Sequence, residues 1–211
     1  MFEARDVSGP VVHVAMRIAD TDAEGPGRRY ALWVQGCSLR CAGCCNPEML
    51  PAEGGERMPV SRLAEELNAH VLKGIEGVSL LGGEPFEQAE GLAELAAQAR
   101  ALGLSVMIFS GYTRAELEAR EDAATRRLLG LTDVLVDGRY VASERDETRR
   151  WVGSRNQVVH HLTDRYAQDA RFDAANEIEI RLEHGQVLVN GWPVPATRLV
   201  QELRRKRTRD V

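Results

Sequence analysis

Tyr30-Ala31-Leu32-Trp33-Val34 runs directly into Gln35-Gly36-Cys37-Ser38-Leu39-Arg40-Cys41-Ala42-Gly43-Cys44-Cys45-Asn46-Pro47. The first five residues read as a buried strand, and the strand feeds a cysteine loop without an intervening linker. The spacing is C-x3-C-x2-C, so Cys37, Cys41 and Cys44 offer three thiolates from one short loop. A [4Fe–4S] cubane is normally held by four cysteine thiolates. Three ligands leave one iron free for something that is not protein, and an open coordination position separates a reactive metal site from a structural one. Structural zinc is the plain alternative, but it prefers paired C-x2-C units far apart in sequence. Here all four cysteines fall within residues 37–45, and the nearest downstream histidine is His70. An electron-transfer ferredoxin would need a fourth ligand. Cys45 is available, although on an extended backbone its side chain points away from that of Cys44.

Downstream, short apolar runs alternate with helical periods. Residues 60–72 carry Val60, Leu63, Ala64, Leu67 and Val71 at helical spacing. Val78-Ser79-Leu80-Leu81 is a strand broken by Gly82-Gly83-Glu84-Pro85, and residues 87–102 read as an amphipathic helix stopped at Gly103. Ser105 to Phe109 is the next strand. Thr113-Arg114-Ala115-Glu116 fits a capping box for a helix near 114–120. Asp133 to Val136 ends in Asp137-Gly138, and residues 157–161 make one more strand. This alternation predicts an α/β fold with a parallel sheet of buried strands. Its unusual residues sit in loops at strand C-terminal ends, where active sites of such sheets lie. From Glu177 the period changes to two. Ile178, Ile180 and Leu182 alternate with charged residues, His184-Gly185 turns, and Val187 to Val189 return, which predicts a β-hairpin. Residues 163–176 read as a polar linker and 196–205 as a short helix.

The chain has 211 residues, enough for one domain or one domain with a small appendage. Its 27 basic and 32 acidic residues leave a net charge of −5, which argues against non-specific nucleic-acid binding. There is no run long enough to span a membrane and no apolar segment near the N-terminus to act as a secretion signal. Clustered cysteines without such a signal point to metal ligation or thiol chemistry in a reducing cytoplasm.

The Gly82-Gly83-Glu84-Pro85 turn follows a buried strand and precedes a helix. Two glycines permit close backbone approach to a ligand, and Glu84 offers a carboxylate for an ammonium group. The bland alternative is a tight turn with a solvated Glu. His160-His161 looks like a metal pair, yet adjacent residues on a strand point to opposite faces. The basic run Arg204-Arg205-Lys206-Arg207-Thr208-Arg209 reads as a solvated helix end or a disordered terminus. Trp151, beside Arg149-Arg150, is either a partner surface or a buried anchor.

Taken together, the cysteine spacing and the GGEP turn resemble the radical S-adenosylmethionine superfamily. Gly25-Pro26-Gly27-Arg28, Gln35-Gly36-Cys37 through Glu48, Gly111-Tyr112-Thr113, Asp133 through Gly138, and Gly153-Ser154-Arg155-Asn156-Gln157 narrow the likeness. These ordered blocks, over roughly residues 12–162, resemble the activating proteins of anaerobic ribonucleoside-triphosphate reductase. The resemblance implies a partial (β/α)6 barrel over 1–162, with 163–211 as a C-terminal extension holding a small hairpin. It implies that Cys37, Cys41 and Cys44 ligate a [4Fe–4S] cluster whose free iron chelates S-adenosylmethionine. Gly43 and Cys45 would lie against that cofactor, Gly82, Gly83 and Glu84 would meet its methionine part, and Ser110, Gly111, Asp137 and Asn156 match further motif positions. Gly43 stands where many relatives have an aromatic residue, Cys45 where an aromatic or His is common, and Leu81 where Ser is common.

The activity so implied is reductive cleavage of S-adenosylmethionine to a 5′-deoxyadenosyl radical, which generates a glycyl radical on the large reductase subunit. The partners implied are that protein and a low-potential electron donor. A radical maturase of another protein or peptide is the second reading, supported by the extension. A deazapurine-forming radical enzyme shares the cysteines and GGEP but gives no reason for the Gly-Ser-Arg-Asn-Gln block. A non-catalytic metal-binding or electron-transfer protein is the rival of a different class.

Overall fold

A computed structural model describes residues 9–183 and 186–191. Seven strands form one sheet: β1 (Val11–Thr21), β2 (Arg29–Val34), β3 (Glu56–Pro59), β4 (Gly77–Gly82), β5 (Ser105–Phe109), β6 (Val134–Asp137) and β7 (Val158–His161). They lie in the order β3-β1-β2-β4-β5-β6-β7. The central β2, β4, β5 and β6 pair in parallel. The sheet is mixed rather than wholly parallel, because β1 and β3 on one side and β7 on the other pair antiparallel. The β1–β2 connection is too short for a crossover helix, so it can only return antiparallel. Helices α1 (Val60–Val71), α2 (Ala89–Ala101), α3 (Arg114–Glu118) and α4 (Ala123–Gly130) complete the body, and β8 (Ile178–Glu183) pairs with β9 (Gln186–Gly191) as a separate hairpin. The turn at His184-Gly185, the helix expected at 196–205 and the basic run lie outside the described residues.

The central strands are buried on both faces, and their side chains divide by parity. Tyr30, Leu32 and Val34 of β2, Val78 and Leu80 of β4, Val106 and Ile108 of β5 and Leu135 of β6 join Leu63 and Leu67 of α1, Leu92 and Leu95 of α2 and Leu128 of α4 in one core. The alternate residues turn to the other face. There Ala31, Trp33 and Leu81 form one small cluster, and Met107, Val134 and Val136 pack with Trp151, Val152 and Tyr166 in another. Among the described residues this second face carries no helix layer, and it borders the cleft described below.

Two segments depart from the expectation. Residues 163–176 are not a linker. Asp164–Tyr166 and Ala170–Asp173 form single 3-10 turns, Tyr166 is buried, and its hydroxyl lies 2.8 Å from Ser105 Oγ. Trp151 is a buried anchor, its indole N–H donating to Ala23 O at 2.9 Å and its ring packing edge-on against Phe172.

Arg29 is fully buried and holds the Gly25-Pro26-Gly27 turn against the sheet. Its guanidinium donates to Ser79 Oγ at 2.6 Å, Pro26 O at 3.1 Å and Ser105 Oγ at 2.9 Å. A Cβ on Gly25 would come within 2.5 Å of the Arg29 side chain, which is why glycine stands there.

Candidate functional site

Four parallel strands deliver four loops to the same end of the sheet. β2 leads into the cysteine loop, β4 into Gly83-Glu84, β5 into Ser110-Gly111, and β6 into Gly138. The first two are stitched together through main chain. Gly83 N–H donates to Val34 O at 2.8 Å, and Glu84 N–H donates to Gly36 O at 2.9 Å. A Cβ on Gly83 would stand 2.2 Å from Gly36 O, and one on Gly82 (φ +106°) 2.6 Å from Val34 N. The closest approach that these glycines permit is therefore to the root of the cysteine loop.

Glu84 is 1 % exposed. Its Oε1 accepts from Phe86 N–H and Ser110 Oγ, both at 2.9 Å, and its Oε2 accepts from Gly111 N–H at 2.8 Å. Burial pushes the carboxyl up to about 7 against the pull of these donors. The carboxylate thus ties the β4 and β5 loops together instead of standing solvated. Glu87 and Gln88, which the motif reading passed over, brace the cysteine loop from the following turn. Ser38 N–H donates to Glu87 Oε1 at 3.0 Å, Tyr112 Oη donates to the same oxygen at 3.1 Å, and Gln88 Nε2 donates to Gln35 O at 2.8 Å. Nothing but their place after the GGEP turn marks them in the sequence.

Within the loop, Arg40 holds a left-handed φ of +47°. Burial pushes the Cys37 thiol up, against the pull of the nearby Arg40 and Leu39 main-chain N–H groups. Cys44 N–H donates to Cys41 O at 3.1 Å, closing a turn. That turn removes the extended backbone on which the expectation that Cys45 points away from Cys44 rests. The backbone is not extended there but bends at Cys45. The neighbouring Cys45 thiol and then the Asn46 N–H at 3.4 Å favour the Cys44 thiolate and hold that group below its ordinary value, while the proximity of Cys44 pushes Cys45 up.

Cys37, Cys41, Cys44 and Cys45 line a cleft of about 560 Å³, within the range of small-molecule sites. Gly82, Gly83, Glu84, Ser110 and Gly111 form the facing wall, and Trp33, Leu81, Phe109 and Val136 the apolar floor. Among the described residues no three His, Cys, Asp or Glu side chains converge tightly enough for a single ion. The thiols instead border a space that admits a larger group, and soft sulfur donors with N–H groups aimed at them suit an iron–sulfur cluster.

Gly43 (φ +77°) is not among the lining residues and faces Ala142 and Tyr140. Asp137 is not among them either. Its carboxylate accepts from Arg114 N–H and lies 3.0 Å from His160 Nε2. Asn156 braces its own loop, donating to Arg139 O at 2.8 Å and accepting from Ser154 Oγ at 2.7 Å. His161 turns the other way and packs on Phe172, so the two histidines do not act as a pair. Glu24 and Asn190 also line the cleft, and no motif announced them.

The chain matches the family model of a 4Fe–4S single cluster domain over residues 23–160. It is 34 % identical over 145 residues to the anaerobic ribonucleoside-triphosphate reductase-activating protein of Escherichia coli (strain K12), covering 65 % of this chain and 91 % of that one. The protein of that name from Vibrio cholerae is 34 % identical over 147 residues, covering 66 % and 91 %. That of Enterobacteria phage T4 is 31 % identical over 145 residues, covering 66 % and 88 %. Fold, cysteine loop and similarity together define a single-cluster iron–sulfur domain. More narrowly, the chain belongs to the family of the anaerobic ribonucleoside-triphosphate reductase-activating proteins. Among the described residues no helix is long and apolar enough to cross a membrane.

Proposed function

We propose that this protein is a radical S-adenosylmethionine enzyme that activates an anaerobic ribonucleotide reductase. The observation that carries the reading is the bonding of the GGEP turn to Gly36, which sets three cysteines and the turn around one cleft. Cys37, Cys41 and Cys44 would hold a [4Fe–4S] cluster, and Cys45, Gly82, Gly83, Glu84 and Ser110, which line the cleft, would surround S-adenosylmethionine, whereas Gly43 and Asp137 stand outside that lining. Once bound and reduced by a low-potential donor, the pair would supply methionine and a 5′-deoxyadenosyl radical able to accept a hydrogen atom from a backbone glycine of the large reductase subunit. The protein's own part is positional. Glu84 fixes the spacing of two loops, Glu87 and Gln88 hold the cysteine loop against the turn, and Trp33, Leu81, Phe109 and Val136 exclude water from the floor. In this reading the open sheet is a partial (β/α)6 barrel, 1–162 is the catalytic unit and 163–211 is the extension, in a cytoplasmic protein.

The test is anaerobic reconstitution followed by reduction in the presence of S-adenosylmethionine and the large reductase subunit. 5′-Deoxyadenosine and a glycyl-radical signal are expected. A full cluster that yields neither makes the protein a carrier. 5′-Deoxyadenosine with no radical on the reductase favours a maturase of another protein. The maturase reading has one observation of its own, the contribution of the hairpin to the cleft.

A further inference from the structure

Four aromatic side chains line the cleft: Trp33, Phe109, Tyr140 and Trp151. Three of them are accounted for by packing. Trp33 lies in the apolar cluster with Ala31 and Leu81, Phe109 packs against it, and Trp151 lies in the other cluster, edge-on to Phe172. Tyr140 belongs to no core cluster. Among the described residues its ring meets no other ring and no cation, and its hydroxyl makes no hydrogen bond.

The loop that carries Tyr140 is nonetheless held on both sides. It leaves the C-terminal end of β6 through Gly138 and Arg139. Gln157 Nε2 donates to Gly138 O at 2.8 Å, Asn156 Nδ2 donates to Arg139 O at 2.8 Å, and Val141 N–H donates to Ser154 Oγ at 3.1 Å. Side chains of the Gly153-Ser154-Arg155-Asn156-Gln157 block thus grip the main chain immediately before and after one aromatic residue. Gly153 and Gly43 complete the seat. A Cβ on Gly153 would stand 3.2 Å from Tyr140 Cδ2, and one on Gly43 would stand 3.7 Å from Cε1, across the ring. With main chain close to opposite edges, what remains for the cleft is a ring face and the hydroxyl.

Such bracing around a side chain that packs on no core cluster fits a ligand contact fixed in advance of binding. The ring also stands beside the last turn of the cysteine loop, because Gly43 directly precedes Cys44. A bare aromatic face accepts a flat π-system by stacking or a cation through its quadrupole. In S-adenosylmethionine the adenine alone is flat and aromatic, while the sulfonium and ammonium are the cations. For cations the cleft lining offers the carboxylates of Glu24 and Glu48, and for a base it offers this ring.

We propose that Tyr140 is the specificity-determining residue for the base of the nucleotide, its ring stacking on the adenine of S-adenosylmethionine. The inference rests on the proposed function, because that reading brings an adenine into the cleft.

The test uses the full chain, reconstituted anaerobically, and equilibrium dialysis with three probes. These are S-adenosylmethionine, 5′-deoxyadenosine, which has the base and no cation, and methionine, which has an ammonium and no base. Tyr140→Leu is expected to weaken binding of the first two about tenfold, while methionine moves by less than about twofold and Tyr140→Phe stays within about twofold for all three. Equal losses for 5′-deoxyadenosine and methionine mean a distorted cleft. A loss for S-adenosylmethionine but not for 5′-deoxyadenosine assigns the ring to a cation, and a loss in Tyr140→Phe as large as in Tyr140→Leu assigns the hydroxyl. Each of these overturns the proposal, as does unchanged binding in Tyr140→Leu or a wild type that binds neither adenine compound. A second readout keeps Tyr140 in place. Irradiation of wild type with 2-azidoadenosine should label Tyr140, and labelling confined to other residues sinks the idea. Wild type that forms no 5′-deoxyadenosine on reduction, with Tyr140-dependent binding intact, would count against the proposed function alone.

Discussion

Two buried carboxyls give individual residues a measurable signature. Glu24, like Glu84, is pushed up to about 7 by burial, with the nearby Glu179 adding to the effect. Between the ordinary value of 4.5 and 7 the folded chain keeps protons that the unfolded chain has released. Stability is therefore greatest at the acid side of this window and falls as pH rises through it, each group contributing on the order of 3 kcal/mol. In Glu24→Gln a neutral amide oxygen can still accept from Gly191 N–H and Asn190 Nδ2. Urea titrations of cluster-free protein at several pH values should show a shallower decline for this variant, with its gain confined to the neutral and alkaline end. A wild-type profile that rises through the window would contradict the assignment. Gly83→Ala makes the opposite demand, placing a methyl group 2.2 Å from the Gly36 carbonyl. The turn and the cysteine loop must part, at a cost of about 2 kcal/mol. Iron retained after reconstitution, compared with wild type, reads the effect, and full retention at an unchanged urea midpoint would refute it.

At the scale of elements, legibility followed the range of the forces that made each one. The capping box at Thr113 and Glu116 is local and was read directly. Both of its hydrogen bonds are present at the start of α3. Thr113→Ala should cost about 1 kcal/mol, seen as a lowered denaturation midpoint at unchanged slope. The central strands were legible because burial on both faces makes them continuously apolar. β1 was not, since bulges interrupt its alternation and His13, Arg17 and Asp20 dilute it. β3 is a strand only because β1 pairs with it; Glu56, Arg57 and Pro59 carry no strand signal of their own. α4 had a cue in Asp122, whose side chain accepts from Thr125 N–H. In the site, the cysteines and GGEP stood out as chemistry. Glu87, Gln88, Glu24 and Asn190 did not, because each acts through a partner distant in sequence.

For the molecule as a whole, the segment after β7 belongs to the body. Tyr166 and Phe172 cover the second face beside Trp151, so the polar composition of 163–176 was misleading. Tyr166→Phe should lose about 1 kcal/mol with the Ser105 bond, whereas Tyr166→Ala should lose about 3 kcal/mol with the packing as well. Thermal melts of the two variants separate these contributions, and equal losses would mean that the ring's burial contributes nothing.

The latch between Glu24 and Gly191 joins positions 167 residues apart. A growing chain on the ribosome can finish the central strands and the cysteine loop long before that partner emerges. Until then the cleft beside the cysteine loop lacks the wall that Val189, Asn190 and Gly191 supply, and the four thiols are reached from one flank more.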